Sequence, residues 1–170
     1  IEEARLAAER GCDLGAATTT LVSARSLHQA EPSETTGNLL ASSCLLVAEL
    51  LRIDFELTPK DQREARLLLG RRIDAAAKEG LEVLENSADS SEAHRMRADL
   101  LATKIRSKMR AKKYQRQMTT AADRALELDP KNPRAMVSAA KPLVFAEAEH
   151  GGDVGVGVEL LTEALAIDPE

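Results

Sequence analysis

Apolar residues recur along this chain at spacings of three and four, the period of one face of an α-helix. Leu69, Ile73, Ala76, Ala77, Leu81 and Leu84 run down one such face, and Ala93, Met96, Leu100, Leu101, Ile105 and Met109 down a second. Met118, Ala121, Ala122, Ala125 and Leu126 form a third, Met136, Ala140, Leu143 and Val144 a fourth, and Val158, Leu161, Ala164 and Leu165 the last. No segment alternates apolar and polar residues as a half-buried strand requires. The pattern predicts an all-α protein of about seven antiparallel helices.

Polar punctuation sets the expected boundaries. Residues 2–30 read as one long helix, weakened by Gly11, Gly15 and the Thr18-Thr19-Thr20 run, that stops near Glu31-Pro32-Ser33. Gly37-Asn38 punctuates the loop before an apolar helix over 39–57. Glu49, Arg52 and Asp54 interrupt that stretch, which suits a core helix covered on several sides and not a membrane span. Thr58 followed by Pro59 predicts the next N-cap and first helical residue, with the helix ending around Asn86. Asp89 with Glu92 predicts a capping box, Asn132-Pro133 a second cap-and-proline start, and Asp153 the cap of the final helix. His150-Gly151-Gly152 ends the helix before it, which Pro142 is expected to kink.

Composition sharpens this picture. The 170 residues are 44% hydrophobic and 30% charged, yet only Phe55, Tyr114 and Phe145 are aromatic. Leucine and alanine must fill the core, which suits close helix packing and excludes both a β-sandwich and a disordered chain. Cys12 and Cys44 are too few and too far apart for a disulfide framework or a zinc site, and both are expected to be buried thiols. His28, His94 and His150 share no ligand spacing, so no metal and no cofactor is implied. The chain begins at Ile1 in what reads as mid-helix, so Ile1 and Glu170 read as cut points of a longer array, with the cytoplasm as the default compartment and a removed signal peptide as the alternative. Leu161 and Leu165 on an opened end would then favour dimers.

One segment repeats. Ala125-Leu126-Glu127-Leu128-Asp129-Pro130 returns 39 residues later as Ala164-Leu165-Ala166-Ile167-Asp168-Pro169. A fainter copy lies 42 residues upstream, where Val83–His94 parallels Ala125–Met136 and Ala93 aligns with Ala135. A helical hairpin cannot bury its apolar face alone, whereas stacked hairpins share a continuous core. The Asp-Pro pair ends each unit because proline cannot continue a helix and pushes its predecessor out of the α region.

These residues resemble the tetratricopeptide repeat family, in its A-L-x-[LI]-D-P motif and in the small-residue helix that begins Pro133-Arg134-Ala135. Both periods exceed the family's usual 34, which calls for longer helices or turns. The resemblance implies antiparallel hairpins stacked as a right-handed α-solenoid. It places residues 1–170 in one repeat domain, clearest at about 90–130 and 131–170 and divergent over 1–89. It also implies that the first helix of each hairpin lines a concave groove, which puts Arg95, Asp99, Arg134, Val137 and Lys141 toward a bound segment. The asparagines of carboxylate-clamp members are absent. The Gly-Gly-Asp turn resembles divergent members that accompany bacterial solute transporters.

Charge adds a second candidate. Residues 91–116 carry nine Lys/Arg against Glu92 and Asp99, inside a chain of net charge −5. Lys104, Lys108 and Lys112, with Arg106 and Arg110 beside them, are expected to form two stripes on one helix and to favour an anionic partner. The opposing reading is a solvated face whose cations offset the negative end of that helix. Tyr114 alone is available for stacking on bases, which disfavours RNA. Gly155 and Gly157 lack the strand and Gly-Lys-Ser/Thr of a phosphate loop, and no nucleophile motif is present. The expected function is therefore a non-catalytic scaffold that holds a protein or peptide, acidic ones included, in the groove. The alternatives are a small-molecule accessory of a transporter, or an RNA or anionic partner on residues 104–116.

Overall fold

The computed structural model describes residues 1–146 and 151–169; His150 and Glu170, both singled out in the sequence, lie outside the described residues. Those residues form eight helices and no strand: α1 (Glu2–Gly11), α2 (Leu14–Ala30), α3 (Glu34–Leu57), α4 (Arg63–Leu84), α5 (Ser91–Thr103), α6 (Lys108–Leu128), α7 (Pro133–Phe145) and α8 (Val154–Ile167). They divide into two compact units, one of Ile1–Ala88 and one that starts at Asp89.

The first unit is built around α3, which packs against α1, α2 and α4. Leu40, Cys44, Val47, Ala48 and Leu51 are buried along it, and Leu21, Ala24, Ile73 and Ala76 close on them from α2 and α4. An Arg25–Glu79 ion pair, at 2.6 and 2.8 Å, joins α2 to α4 beside this core.

Three boundaries here correct the sequence reading. Residues 2–30 are two helices, because Cys12 turns left-handed (φ 48°) and Asp13 caps α2 by accepting from the Ala16 amide. Cys12 is accordingly exposed, while Cys44 is buried as expected. Helix α3 begins five residues early, since Ser33 and Thr36 satisfy each other's backbone amides in a capping box. Thr58 closes α3 instead of opening α4. Arg66 reaches back from α4 to the Phe55 and Thr58 carbonyls and lies over the Phe55 ring, holding that connection.

In the second unit α5 packs on α6 and α7, α6 on α7, and α7 on α8. Its core is small: Met96, Leu100, Met118 and Met136 supply the bulk and Ala93, Ala121, Ala122, Ala125, Ala135, Ala140 and Ala164 fill between them. Alanines let helix axes approach closely, as the aromatic-poor composition requires. At Gly157 the approach leaves no room for a side chain, since an added Cβ would lie 2.6 Å from Val144 Cγ2 and 3.2 Å from Leu143 Cβ.

Ser90, not Asp89, caps α5 by accepting from the Ala93 amide. Asp89 instead accepts from Arg124 and contacts the His94 ring, each at 2.6 Å, and the Arg124 guanidinium, then His94, holds its carboxyl below the usual range. The helix expected to run on to Met109 stops at Thr103, and Met109 stands 83% exposed at the start of α6. Asn132 and Asp153 cap α7 and α8 as expected. Helix α7 continues past Pro142 to Phe145. On α8 the expected core face is largely open: Val158, Leu161 and Leu165 are exposed, and only Gly157 and Ala164 are buried.

Candidate functional site

The two Asp-Pro motifs of the second unit end their helices alike. Asp129 and Asp168, equivalent in the two motifs, end α6 and α8 with nearly the same conformation (φ −145°, ψ 94° and φ −133°, ψ 95°). Their amides bond the Ala125 and Ala164 carbonyls, which are equivalent too. Ser90 and Asn132, matched by the upstream copy, are the N-caps of α5 and α7. The Asn132 amide also donates to Ser91 Oγ at 2.9 Å, which ties the two helix starts together.

The groove residues expected from the sequence separate into a buried set and an open one. Asp99 lies on α5 with its side chain only 7% exposed, and it accepts from three groups. Arg95 donates to it at 3.0 Å from the preceding turn, and Ser138 Oγ at 2.9 Å and Lys141 Nζ at 2.8 Å from α7. Arg95, 8% exposed, is also paired with Glu92. Burial opposes its charge, but the Glu92 and Asp99 carboxylates outweigh that and raise its pKa above the usual guanidinium value. Asp99 therefore ties α5 to α7, while Arg95 pairs with Glu92 and Asp99 on its own helix. Both side chains are thus largely buried, unlike those of Arg134 and Val137.

Arg134 and Val137 remain exposed on α7, and Lys141, one turn on, is half-buried. They sit at i, i+3 and i+7, so they share one face of that helix. Ser138, beside them, was missed by the sequence reading. As a serine in an alanine-rich face, three residues before a lysine, it was the available signal of a polar contact.

The basic segment also differs from its expected form. Lys104 follows α5 as its C-cap, residues 104–107 connect, and Lys108 opens α6 behind the Ser107 N-cap. No single helix carries both stripes. Arg106 and Arg110 turn back to the Thr103 and Lys104 carbonyls at the end of α5. Lys104 and Lys113 lie over the Tyr114 ring, at 5.1 and 5.0 Å from its centroid. Lys108, Lys112, Lys113 and Arg116 project from the exposed face of α6. Lys108 stands in the first turn of α6, which holds no acidic residue, and the others follow in the next two turns, so none of the four offsets a negative helix end. At that helix end the Lys108 cation is unfavourable by about 0.3–1 kcal/mol at low salt.

Among the described residues no group of three or more His, Cys, Asp or Glu is placed to hold a metal ion. No helix among them is long and apolar enough to cross a membrane. Comparison with protein-family models, with curated proteins and with solved structures returns no match.

Proposed function

We propose that the second unit is a pair of tetratricopeptide-like hairpins, part of a helical solenoid, and that the face formed by α5 and α7 binds a segment of a partner protein without catalysis. The observation that carries this reading is the contact between repeat-equivalent residues. Asp99 and Lys141 occupy the same position in successive units and meet at 2.8 Å. First helices of neighbouring hairpins thus lie side by side, the arrangement by which such repeats build a binding surface. Asp99 positions that surface from below. Arg134 and Val137 provide a cation and an apolar contact above it, and Lys141 orients an acidic group at its edge.

Affinity capture tests the reading with two baits beside the unaltered chain. Arg134→Glu/Val137→Asp changes only exposed side chains, so it alters the surface and spares the Asp99 network. It is expected to weaken a specific protein partner at least about tenfold, as loss of central contacts does. Lys108→Glu/Lys112→Glu is expected to retain that partner. Loss with the second bait alone contradicts the proposal.

A further inference from the structure

We propose that the outward face of the first turns of α6 docks on an anionic lipid bilayer. This is a surface separate from the α5–α7 face, with its own chemistry. Lys108, Lys112 and Arg116 follow one another at every fourth residue, about 12 Å along the helix, with Lys113 beside them. All four are exposed, and among the described residues none is paired with a carboxylate. No acidic residue occurs between Asp99 and Asp123, so the positive field over this face is not cancelled locally. Met109 stands in the middle of these cations, 83% exposed, an unfavourable place for an apolar side chain.

Shape and chemistry select the partner. The face is the outer side of a single helix, opposite the Met118, Ala121, Ala122 and Ala125 side that packs on the unit, and so it is convex. A convex patch of long flexible cations suits a flat anionic surface. Lysine and arginine stems can lie along the headgroups while their charges meet phosphates, and Met109 enters the apolar boundary between them. Clusters of this size on a helix have the charge needed to hold anionic lipid. Single-stranded RNA requires open aromatic faces, and the one candidate, Tyr114, is already covered by the Lys104 and Lys113 ammonium groups. Lys108 stands at a helix end that disfavours a cation, and no carboxylate among the described residues pairs with any of the four.

Vesicle co-sedimentation with the full chain tests this. Vesicles of phosphatidylcholine alone are compared with equal parts phosphatidylcholine and phosphatidylserine, at low and moderate salt. The chain is expected to bind the anionic vesicles, more weakly at higher salt, and to leave the neutral ones. Each exposed cation contributes about a fivefold factor, so Lys108→Glu/Lys112→Glu/Arg116→Glu lowers binding by about a hundredfold or more. Met109→Gln weakens it about threefold to tenfold with the salt dependence retained. Circular dichroism of both variants verifies that they are folded. Failure to bind anionic vesicles, equal binding to neutral ones, or full binding by the triple variant overturns the proposal. So does tighter binding of single-stranded RNA or of a glutamate-rich peptide through the same residues.

Discussion

Asp99 is a carboxylate in an alanine-rich interface, and its surroundings dictate how it responds to change. It accepts from the Arg95 guanidinium, the Ser138 hydroxyl and the Lys141 ammonium. Removing one member of a buried ionic network leaves the others uncompensated, at a typical cost of about 3–5 kcal/mol. Asp99→Asn is expected near 3, because Lys141 reaches water and Arg95 keeps Glu92. Ser138→Ala should lose about 1–3 kcal/mol, the value of a hydrogen bond to a charged group. Urea unfolding of both variants measures this. The two cysteines offer a second residue-scale check. Burial pushes the Cys44 thiol up, whereas Cys12 is exposed. A maleimide should label the native chain at Cys12 and spare Cys44 until it unfolds, as mass spectrometry of peptides would show. The pairing of Asp99 with Lys141 was not legible in the sequence, although the alignment of the repeats placed both at one position. Their contact depends on how closely α5 approaches α7, which periodicity does not specify.

At the scale of elements, the caps that were legible share a chemical signature. Asn132-Pro133 and Asp153 are strong helix starts followed by apolar residues at helical spacing, and both cap as read. The break between α5 and α6 contains neither glycine nor proline, and apolar residues continue through it at Ile105 and Met109. Ser107 caps α6 without a Glu or Gln three residues on, so the capping-box signature is missing. The Cys12 turn was hidden for a related reason, since a left-handed cap is usually glycine. Gly157 provides the test of helix packing. A helical glycine changed to alanine normally gains up to about 1 kcal/mol. At Gly157 the new Cβ meets Val144 and Leu143, so Gly157→Ala is expected to lose about 1–3 kcal/mol instead. Gly155 faces only its own cap, Asp153 Oδ1 at 3.4 Å, and Gly155→Ala should be neutral or stabilising. Thermal melts of the pair separate packing from propensity. The cations of α6 permit a third check: Lys108→Glu should stabilise by about 0.3–1 kcal/mol at low salt, with the gain fading as salt is added.

Over the whole molecule, the all-α class was legible because apolar spacing alone carries it. The repeat was read from the two Asp-Pro motifs, and Asp129 and Asp168 end α6 and α8 with nearly the same backbone conformation, as a residue before proline does. Where the aligned residues lie was not legible, because Arg95 and Asp99 are buried on α5 while Val137 is exposed and Lys141 half-buried on α7. Charge is distributed unevenly as well. Residues 1–88 hold ten Lys/Arg against fifteen Asp/Glu, while residues 89–170 hold thirteen of each, with the positive ones gathered in 91–116. The second unit is therefore polar in its charge although neutral in sum, and charge of this kind steers encounter more than it adds affinity. The central claim, that the α5–α7 face binds a protein segment, is tested most directly by a photocrosslinking residue placed at Val137 and irradiated in native lysate. The account predicts one discrete protein adduct that disappears when Arg134→Glu is added and that a probe at Gln117 on α6 does not form. No adduct at Val137, or one that persists with Arg134→Glu, contradicts it.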